Sequence, residues 1–434
     1  MLFSQQDPRL WRWGQIFFFI LPLLPTWGSL GLLAIALLAI QTTPKELLKR
    51  PFTWGLFALT AWLLLTAATA EYQTEAWLGL ANFIPFFLVF LGWNLLLETP
   101  SQLRRLAEWG VISAVIVASF GIGQVLWNWS TPEALQPLLG WILTSGGNPS
   151  GRLASVFMYA NIAGAYFVIM FTLALGLWVE YYRFHRKQFW RWLGLTLGLI
   201  LIAIALFLTS SRNAWAVALL VTTVYIIYLR WYGLLVLAGA ILSTILGAAF
   251  APSPLNQNLR QIVPRSLWAR LNDQMYSDRA VETLRSTQWE FTWKLIQDRP
   301  FLGWGLRNFT PLYQEQMGIW LGHPHNLPLM LSAEIGMPGL LLLLGLVAST
   351  LIRGSKLLSI WSDFSPTPGA QQWQQDQLIF STFIIAFCAL SLFNCLDVTL
   401  FDLRLNLLAW LILAAINGVS HHYRQLELGV KLIR

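Results

Sequence analysis

Four short stretches of this 434-residue sequence gather the side chains whose types and spacing could do chemistry. The first is Gly151-Arg152-Leu153-Ala154-Ser155-Val156-Phe157, with Asn161 after it, at the mouth of an apolar run. Arg152 could contact a phosphate just outside a bilayer, or anchor the chain at headgroup level. The second, Thr209-Ser210-Ser211-Arg212-Asn213, is a short turn between two apolar runs. An Arg beside hydroxyls such as Ser211, at the start of a helix, adds a forked donor set to the positive end of the helix dipole, which suits a phosphate. The third holds Arg285 in Arg285-Ser286-Thr287-Gln288-Trp289, then Asp298-Arg299-Pro300 and Gly303-Trp304-Gly305. The glycines let the backbone turn sharply. Arg285 could reach a substrate from a surface helix or belong to a solvated face. The fourth is His323-Pro324-His325-Asn326, before an apolar helix ending at Ala333-Glu334-Ile335-Gly336. Asn326 suits the cap of that helix, Pro328 its first turn and Gly336 its end, so His325 stands just before a helix N-terminus. Metal binding by His323 and His325 is not expected, because no Cys or carboxylate cluster supplies a third ligand at a recognisable spacing.

The elements that must position these groups are set by composition. The chain is 56% hydrophobic and 11% charged, against roughly 45–50% apolar and about 25% charged in soluble proteins. That excludes a soluble enzyme of ordinary make-up. The net charge of +8 comes from 28 basic and 20 acidic residues, mostly between long apolar runs, which is a membrane pattern and not that of a nucleic-acid-binding or disordered chain. Runs near the length of about 20 residues that a span needs occur at 53–70, 76–97, 109–128, 155–178, 192–209, 213–229, 231–250, 337–352, 377–396 and 405–420. The stretch 13–40 carries Pro22, Pro25 and Gly28 at its middle and reads as a hairpin of two short helices, giving twelve spans, or eleven if it is one kinked helix. A cleaved signal peptide is disfavoured there, since no small-residue cleavage site follows. Placing both termini inside puts Arg104 and Arg105, and Arg183, Arg186, Lys187 and Arg191, in inside segments, and leaves few basic residues in the short outside turns. Cys388 and Cys395, seven positions apart on one apolar run, read as packing residues rather than a disulfide.

One connection breaks the pattern of short turns. Residues 251–336 form a long outside segment between an N-terminal group of spans (1–250) and a C-terminal one (337–434), and a loop of that size is functional or disordered. Leu284, Trp289, Trp293 and Ile296 recur at helical spacing within 282–296 and predict a helix along the membrane surface. Ionisable residues avoid the middles of the spans. The polar groups there, Asn82, Asn161 and Asn394, suit interhelical hydrogen bonds. The expected fold is all-α: a polytopic membrane protein of about twelve transmembrane helices with one large outside loop carrying surface helices, and chemistry at its outer face.

At these residues the sequence resembles the O-antigen ligase and O-antigen polymerase superfamily of bacterial polytopic membrane proteins. The resemblance runs from about Gly151 to Gly339. It is carried by Ser211-Arg212, by the spacing of Arg285, Trp289, Asp298-Arg299-Pro300, Gly303 and Phe309, and by His325-Asn326 with Glu334, Gly336 and Gly339. It implies a GT-C-like body in a bacterial inner membrane, with cytoplasmic termini and the large outside loop periplasmic. It also implies transfer of an oligosaccharide or polysaccharide from an undecaprenyl-pyrophosphate carrier to a hydroxyl on a glycan, lipid or protein acceptor. The transfer is metal-independent, needs no cofactor and inverts the sugar. Arg212 and Arg285 would hold the pyrophosphate and His325 would take or position the acceptor proton, with Arg152, Asn161, Ser211, His323 and Asn326 lining the substrate. Fixed guanidinium groups suit a leaving group whose charge grows as the bond breaks, and an imidazole suits proton transfer near neutrality. Membrane lipids are expected partners and nucleic acid is not. Chain polymerisation and protein O-glycosylation are alternatives within the superfamily, and the His-Pro-His-Asn stretch leans towards ligation. A bicarbonate-type transporter is the alternative of another class, suggested by relatives of the Asp298–Gly303 segment, and would hold its polar site near the midplane.

Overall fold

The structure, a computed structural model, describes residues 8–433 except 186, 273, 275–279 and 364–369. Arg186, among the expected inside charges, lies outside the described residues. Among those described there is no strand. The long helices are α1 (Pro8–Ile20), α2 (Pro25–Thr42), α3 (Pro51–Ala68), α4 (Ile84–Leu96, entered through Gln73–Gly79), α5 (Pro100–Leu126), α6 (Ala160–Phe184), α7 (Phe189–Leu208), α8 (Arg212–Leu229) and α9 (Tyr232–Phe250). After these come α10 (Arg285–Asp298), α11 (Phe309–Met317), α12 (Leu327–Asp363), α13 (Ala370–Asn394) and α14 (Leu403–Ile433).

Eleven helical segments among the described residues are long and apolar enough to cross a membrane. The twelfth expected segment, α1, has 13 residues and is about 20 Å long. It pairs with α2 as the expected hairpin, and the break falls at 21–24 beside Pro22 and Pro25. The sixth span starts at Ala160 and not at Ser155, because Ser155 and Met158 take φ of +50° and +60° around a single 3-10 turn.

Sequence sorts these helices between core and lipid. α6 and α14 are apolar nearly all round and are buried on most sides, as a helix without a polar face must be. α9 is equally apolar and leaves Val236, Leu237 and Ile241 exposed, which makes lipid its solvent. At the end of the bundle away from the four stretches, the Arg104 guanidinium donates to both oxygens of buried Glu180, at 2.7 Å and 3.1 Å, and reaches Asp376 at 3.4 Å. This paired charge ties α5, α6 and α13 together, and removing one member would strand the others.

The long segment is stitched into the bundle through a break in α12. Gly336 has φ 69° and ψ 168°, a region open essentially to glycine alone. The break frees buried carbonyls that need donors from outside the helix. Trp304 N–H donates to Ala333 O at 2.9 Å, Gly305 N–H to Glu334 O at 2.8 Å and the Trp62 indole to Ile335 O at 2.9 Å. In return Met337 N–H donates to Pro300 O at 2.8 Å. Gly336 therefore ends the first helical stretch of α12, as its sequence position suggests, and a second stretch starts directly after it across a kink.

The expected surface helix forms as α10, with a different inner face. Phe291, Leu295 and Ile296 are buried against Phe309 and Tyr313 of α11, whereas Trp293 is 55% exposed. The 3.6-residue period marks the helix correctly, but several apolar stripes on it satisfy the same count. Contact with α11 selects the Phe291 stripe.

Candidate functional site

Three helix N-termini and one C-terminus meet at one end of the bundle. α6 starts at Ala160, α8 at Arg212 and α12 at Leu327, while α13 ends at Asn394 and the chain turns through 395–402 into α14. The N-termini carry partial positive charge. Each start has a local cause. Ser211 caps α8 by accepting the Ala214 N–H at 3.4 Å, and Asn326 caps α12 by accepting the Leu329 N–H at 2.9 Å. The turn after α13 is clamped by Arg404, which donates to Asp402 at 2.6 Å and to Val156 O at 2.8 Å, with its guanidinium 4.1 Å over the Phe157 ring.

That clamp holds Asp397 almost fully buried beneath the His-Pro-His stretch. His325 Nδ1 lies 3.0 Å from Asp397 Oδ1, and His323 Nε2 lies 3.9 Å from the same oxygen. The other carboxylate oxygen, Oδ2, accepts the Asn161 side-chain N–H at 2.9 Å, and Val398 N–H donates to Oδ1 at 2.9 Å. Asn161 in turn accepts at its Oδ1 from Arg152 at 2.6 Å, and Arg152 Nε donates to Thr209 O at 2.9 Å. A continuous chain thus runs Thr209, Arg152, Asn161, Asp397, His325. Trp289 of α10 donates from its indole to Pro324 O at 2.9 Å, holding the His loop from above. His325 has φ +53°, a left-handed conformation that His, Asn and Asp tolerate better than most residues.

Burial pushes the Asp397 carboxyl up, but the His325 hydrogen bond, the charges of His325 and His323 and the Val398 N–H outweigh it and hold the group below the usual carboxylate range. An ionised carboxylate is an acceptor only, so the His325 nitrogen facing it, Nδ1, is the one that carries a hydrogen. Burial first, then the neighbouring His325, lowers His323 to about 4, with Asp397 opposing and Arg285 adding to the fall. His323 is therefore neutral at physiological pH. Burial and the charge of Asp397 raise the Tyr159 hydroxyl, while Arg152 and Arg285 pull it down. Tyr159, immediately before α6, thus senses Asp397 and both guanidinium groups.

The depressed His323 sets a stability slope. Between pH 6.5 and about 4 the unfolded chain binds a proton that the folded His323 refuses, so stability falls as pH falls through that window. Asp397 adds a further loss at lower pH, where its depressed folded-state group takes up a proton. The thermal midpoint of the purified protein is expected to drop from pH 7 to pH 4.5, and His323→Gln to flatten that drop. Parallel curves for the two proteins would refute the assignment.

Of the residues singled out in the sequence, Arg152, Asn161, His323 and His325 join one network, and Asn326 caps the helix beside it. Arg285 opens α10, and its charge reaches His323 and Tyr159. Arg212 is half-buried at the start of α8, three residues beyond the carbonyl that Arg152 binds. Asn161 lies at the helix end and not at mid-membrane. Asp397 and Tyr159 were not among the expected site residues. Asp397 is 72 residues from His325 in sequence, and its acidic outside turn looks like ordinary topology charge.

Asp397 also supplies the third ligand that the sequence lacked. Among the described residues, His323, His325 and Asp397 have ligand atoms within 4.8 Å of one another and could hold a metal ion. Their other contacts favour a hydrogen-bonded arrangement: Oδ1 already lies against His325 Nδ1 and the Val398 N–H, and the Arg285 charge acts on His323. Below the dyad an apolar cavity of about 180 Å³ runs between α12, α13 and α14, lined by Leu327, Leu331, Leu340, Phe387 and Trp410, with Asn394 and Thr399 among its polar groups.

Residues 197–344 match the family model described as O-antigen ligase, about a third of the chain. The match covers the middle of the chain and agrees with the resemblance that its motifs carry. The match takes in Ser211, Arg212, Arg285, His323, His325 and Asn326, and leaves Arg152, Asn161 and Asp397 outside. No curated protein matches the chain.

Proposed function

We propose that this membrane protein moves a glycan from an undecaprenyl-pyrophosphate carrier to an acceptor hydroxyl, with His325 as general base and Asp397 as the residue that positions it. The domain type supports ligase- or polymerase-type glycan transfer in general. The single observation that carries the finer reading is the His325–Asp397 contact of 3.0 Å. It fixes the imidazole tautomer and turns Nε2 into an acceptor, the logic of a hydrolase triad applied to a sugar acceptor. The acceptor O–H gives its proton to Nε2 and its oxygen attacks the anomeric carbon. The bond from that carbon to the phosphate oxygen breaks on the opposite face, and the pyrophosphate leaves with the electron pair.

Arg212 and Arg285 hold the leaving group in this reading, aided by the N-terminal dipole of α8. Arg152 has a different part: its Nε and one terminal nitrogen are directed at Thr209 O and Asn161, so it orients Asp397 through Asn161. The apolar cavity beneath the dyad takes the first isoprene units of the carrier. The site faces the periplasm of a bacterial inner membrane, where the acidic outer turns and basic inner loops direct it.

The transporter alternative asks for an unwound helix with free carbonyls at the midplane. The break in α12 is of another kind, since Ala333 O, Glu334 O and Ile335 O are all occupied by donors from Trp304, Gly305 and Trp62.

Arg212→Ala and Arg285→Ala are each expected to lower transfer by about 10²-fold or more and to weaken binding of a pyrophosphate-linked oligosaccharide donor. Arg212→Lys is expected to stay impaired, because a point charge does not reproduce forked contacts. Donor binding and turnover measured in nanodiscs check this. Wild-type values in both alanine variants would remove the leaving-group assignment.

A further inference from the structure

At the opposite end of the bundle, about 30 Å along α6 from Asn161, a second cavity opens that the glycan chemistry does not use. It is a cleft of about 750 Å³ between α5, α6 and α7. Its walls are apolar, with Val111, Ile112 and Val115 on α5 facing Leu177 on α6 and Leu195 on α7. Gly194 and Gly198 of α7 line it too, and a Cβ at Gly194 would meet nothing within 4 Å. The missing side chains hollow the groove.

The rim has the opposite character. Arg104, Arg105, Arg191 and Ser101 line it together with Glu108. Arg104 is held by Glu180 and Asp376. Arg105 pairs with Glu108 at 2.9 Å, with its side chain 66% exposed, and Arg191 donates to Gln188 at 3.1 Å. An exposed i,i+3 pair contributes little and is readily exchanged for a phosphate, so Arg105 and Arg191 remain available. Exposed Arg183 in the last turn of α6 and exposed Lys187 on the segment joining α6 to α7 add charge of the same sign. α5 and α7 both begin at this rim, adding the positive ends of two long helices. Trp190, 80% exposed, lies next to Arg191 and marks the depth of the headgroup layer.

We infer that this cleft is a binding site for one anionic glycerophospholipid, its phosphate between Arg105 and Arg191 and its acyl chain along the α5 and α7 walls. An apolar groove alone would accept any lipid. The paired guanidinium groups at headgroup depth select negative charge, as basic pockets between transmembrane helices do. The inference does not depend on the glycan-transfer reading.

The test is native mass spectrometry of the full chain titrated with dioleoylphosphatidylglycerol or, separately, dioleoylphosphatidylcholine. The wild type is expected to retain one phosphatidylglycerol in preference to phosphatidylcholine. The double variant Arg105→Gln/Arg191→Gln is expected to lose that preference, with retention of the anionic lipid falling about tenfold or more. Gly194→Leu puts bulk into the groove from a position whose Cβ meets nothing within 4 Å, and is expected to lower retention of both lipids. All three proteins should remain monodisperse, since the altered positions are exposed. Equal retention of the two lipids by the wild type would overturn the inference. So would unchanged phosphatidylglycerol retention in both variants.

Discussion

Replacing His325 by alanine is expected to lower glycan transfer by about 10²–10⁴-fold, the usual contribution of a positioned general base. Alanine at φ +53° also carries a backbone cost of about 1–2 kcal/mol, which could be mistaken for the catalytic effect. His325→Asn separates the two, because asparagine tolerates the left-handed conformation but offers no base. Both variants should lose turnover, and the asparagine variant should keep the wild-type melting behaviour and donor affinity. Asp397→Asn should reduce turnover less than His325→Asn and shift the acid limb of its pH profile, since the imidazole then loses the carboxylate that fixes its tautomer. A His325→Asn protein with wild-type turnover would refute the general-base role.

Gly336→Ala is expected to have the largest effect on folding. The φ and ψ at Gly336, 69° and 168°, cost a residue with a Cβ up to about 3 kcal/mol, and that Cβ would also overlap the Phe301 carbonyl. The overlap cannot be relieved by a rotamer, because the opposing atoms are backbone. Straightening α12 would expel the 300–305 turn and leave the buried carbonyls of Ala333 and Glu334 without the Trp304 and Gly305 donors, and a buried group left unsatisfied is costly. The expected outcome is little or no monodisperse protein after extraction. Monodisperse Gly336→Ala protein with the wild-type melting midpoint would show that the break is not required.

The helical, membrane-spanning architecture was legible because apolar run length and loop charge are one-dimensional signals. Pro22 and Pro25 marked the hairpin, and Asn326 marked the start of α12. Less was legible where the signal is three-dimensional. Asp397 meets His325 only because the turn after α13 folds back under the His loop, and Arg404 secures that turn by binding Val156 O, 248 positions away. The contacts of Arg152 were equally hidden: its position beside an apolar run suggested a phosphate, and its Nε and one terminal nitrogen donate to the Thr209 carbonyl and to Asn161. Asn161 looked like a midplane residue until the 3-10 turn at Ser155–Phe157 delayed the helix start. The inner stripe of α10 depended on α11 in the same way.

The most direct measurement is transfer of glycan from a pyrophosphate-linked oligosaccharide to acceptor lipid by the wild-type protein and His325→Asn in nanodiscs, each with and without a strong chelator. The expected result is product from the wild type in both conditions and a loss of at least about 10²-fold in His325→Asn. Equal product from the two proteins would contradict the dyad, and wild-type activity abolished by chelator and restored by a divalent cation would make His323, His325 and Asp397 a metal site instead.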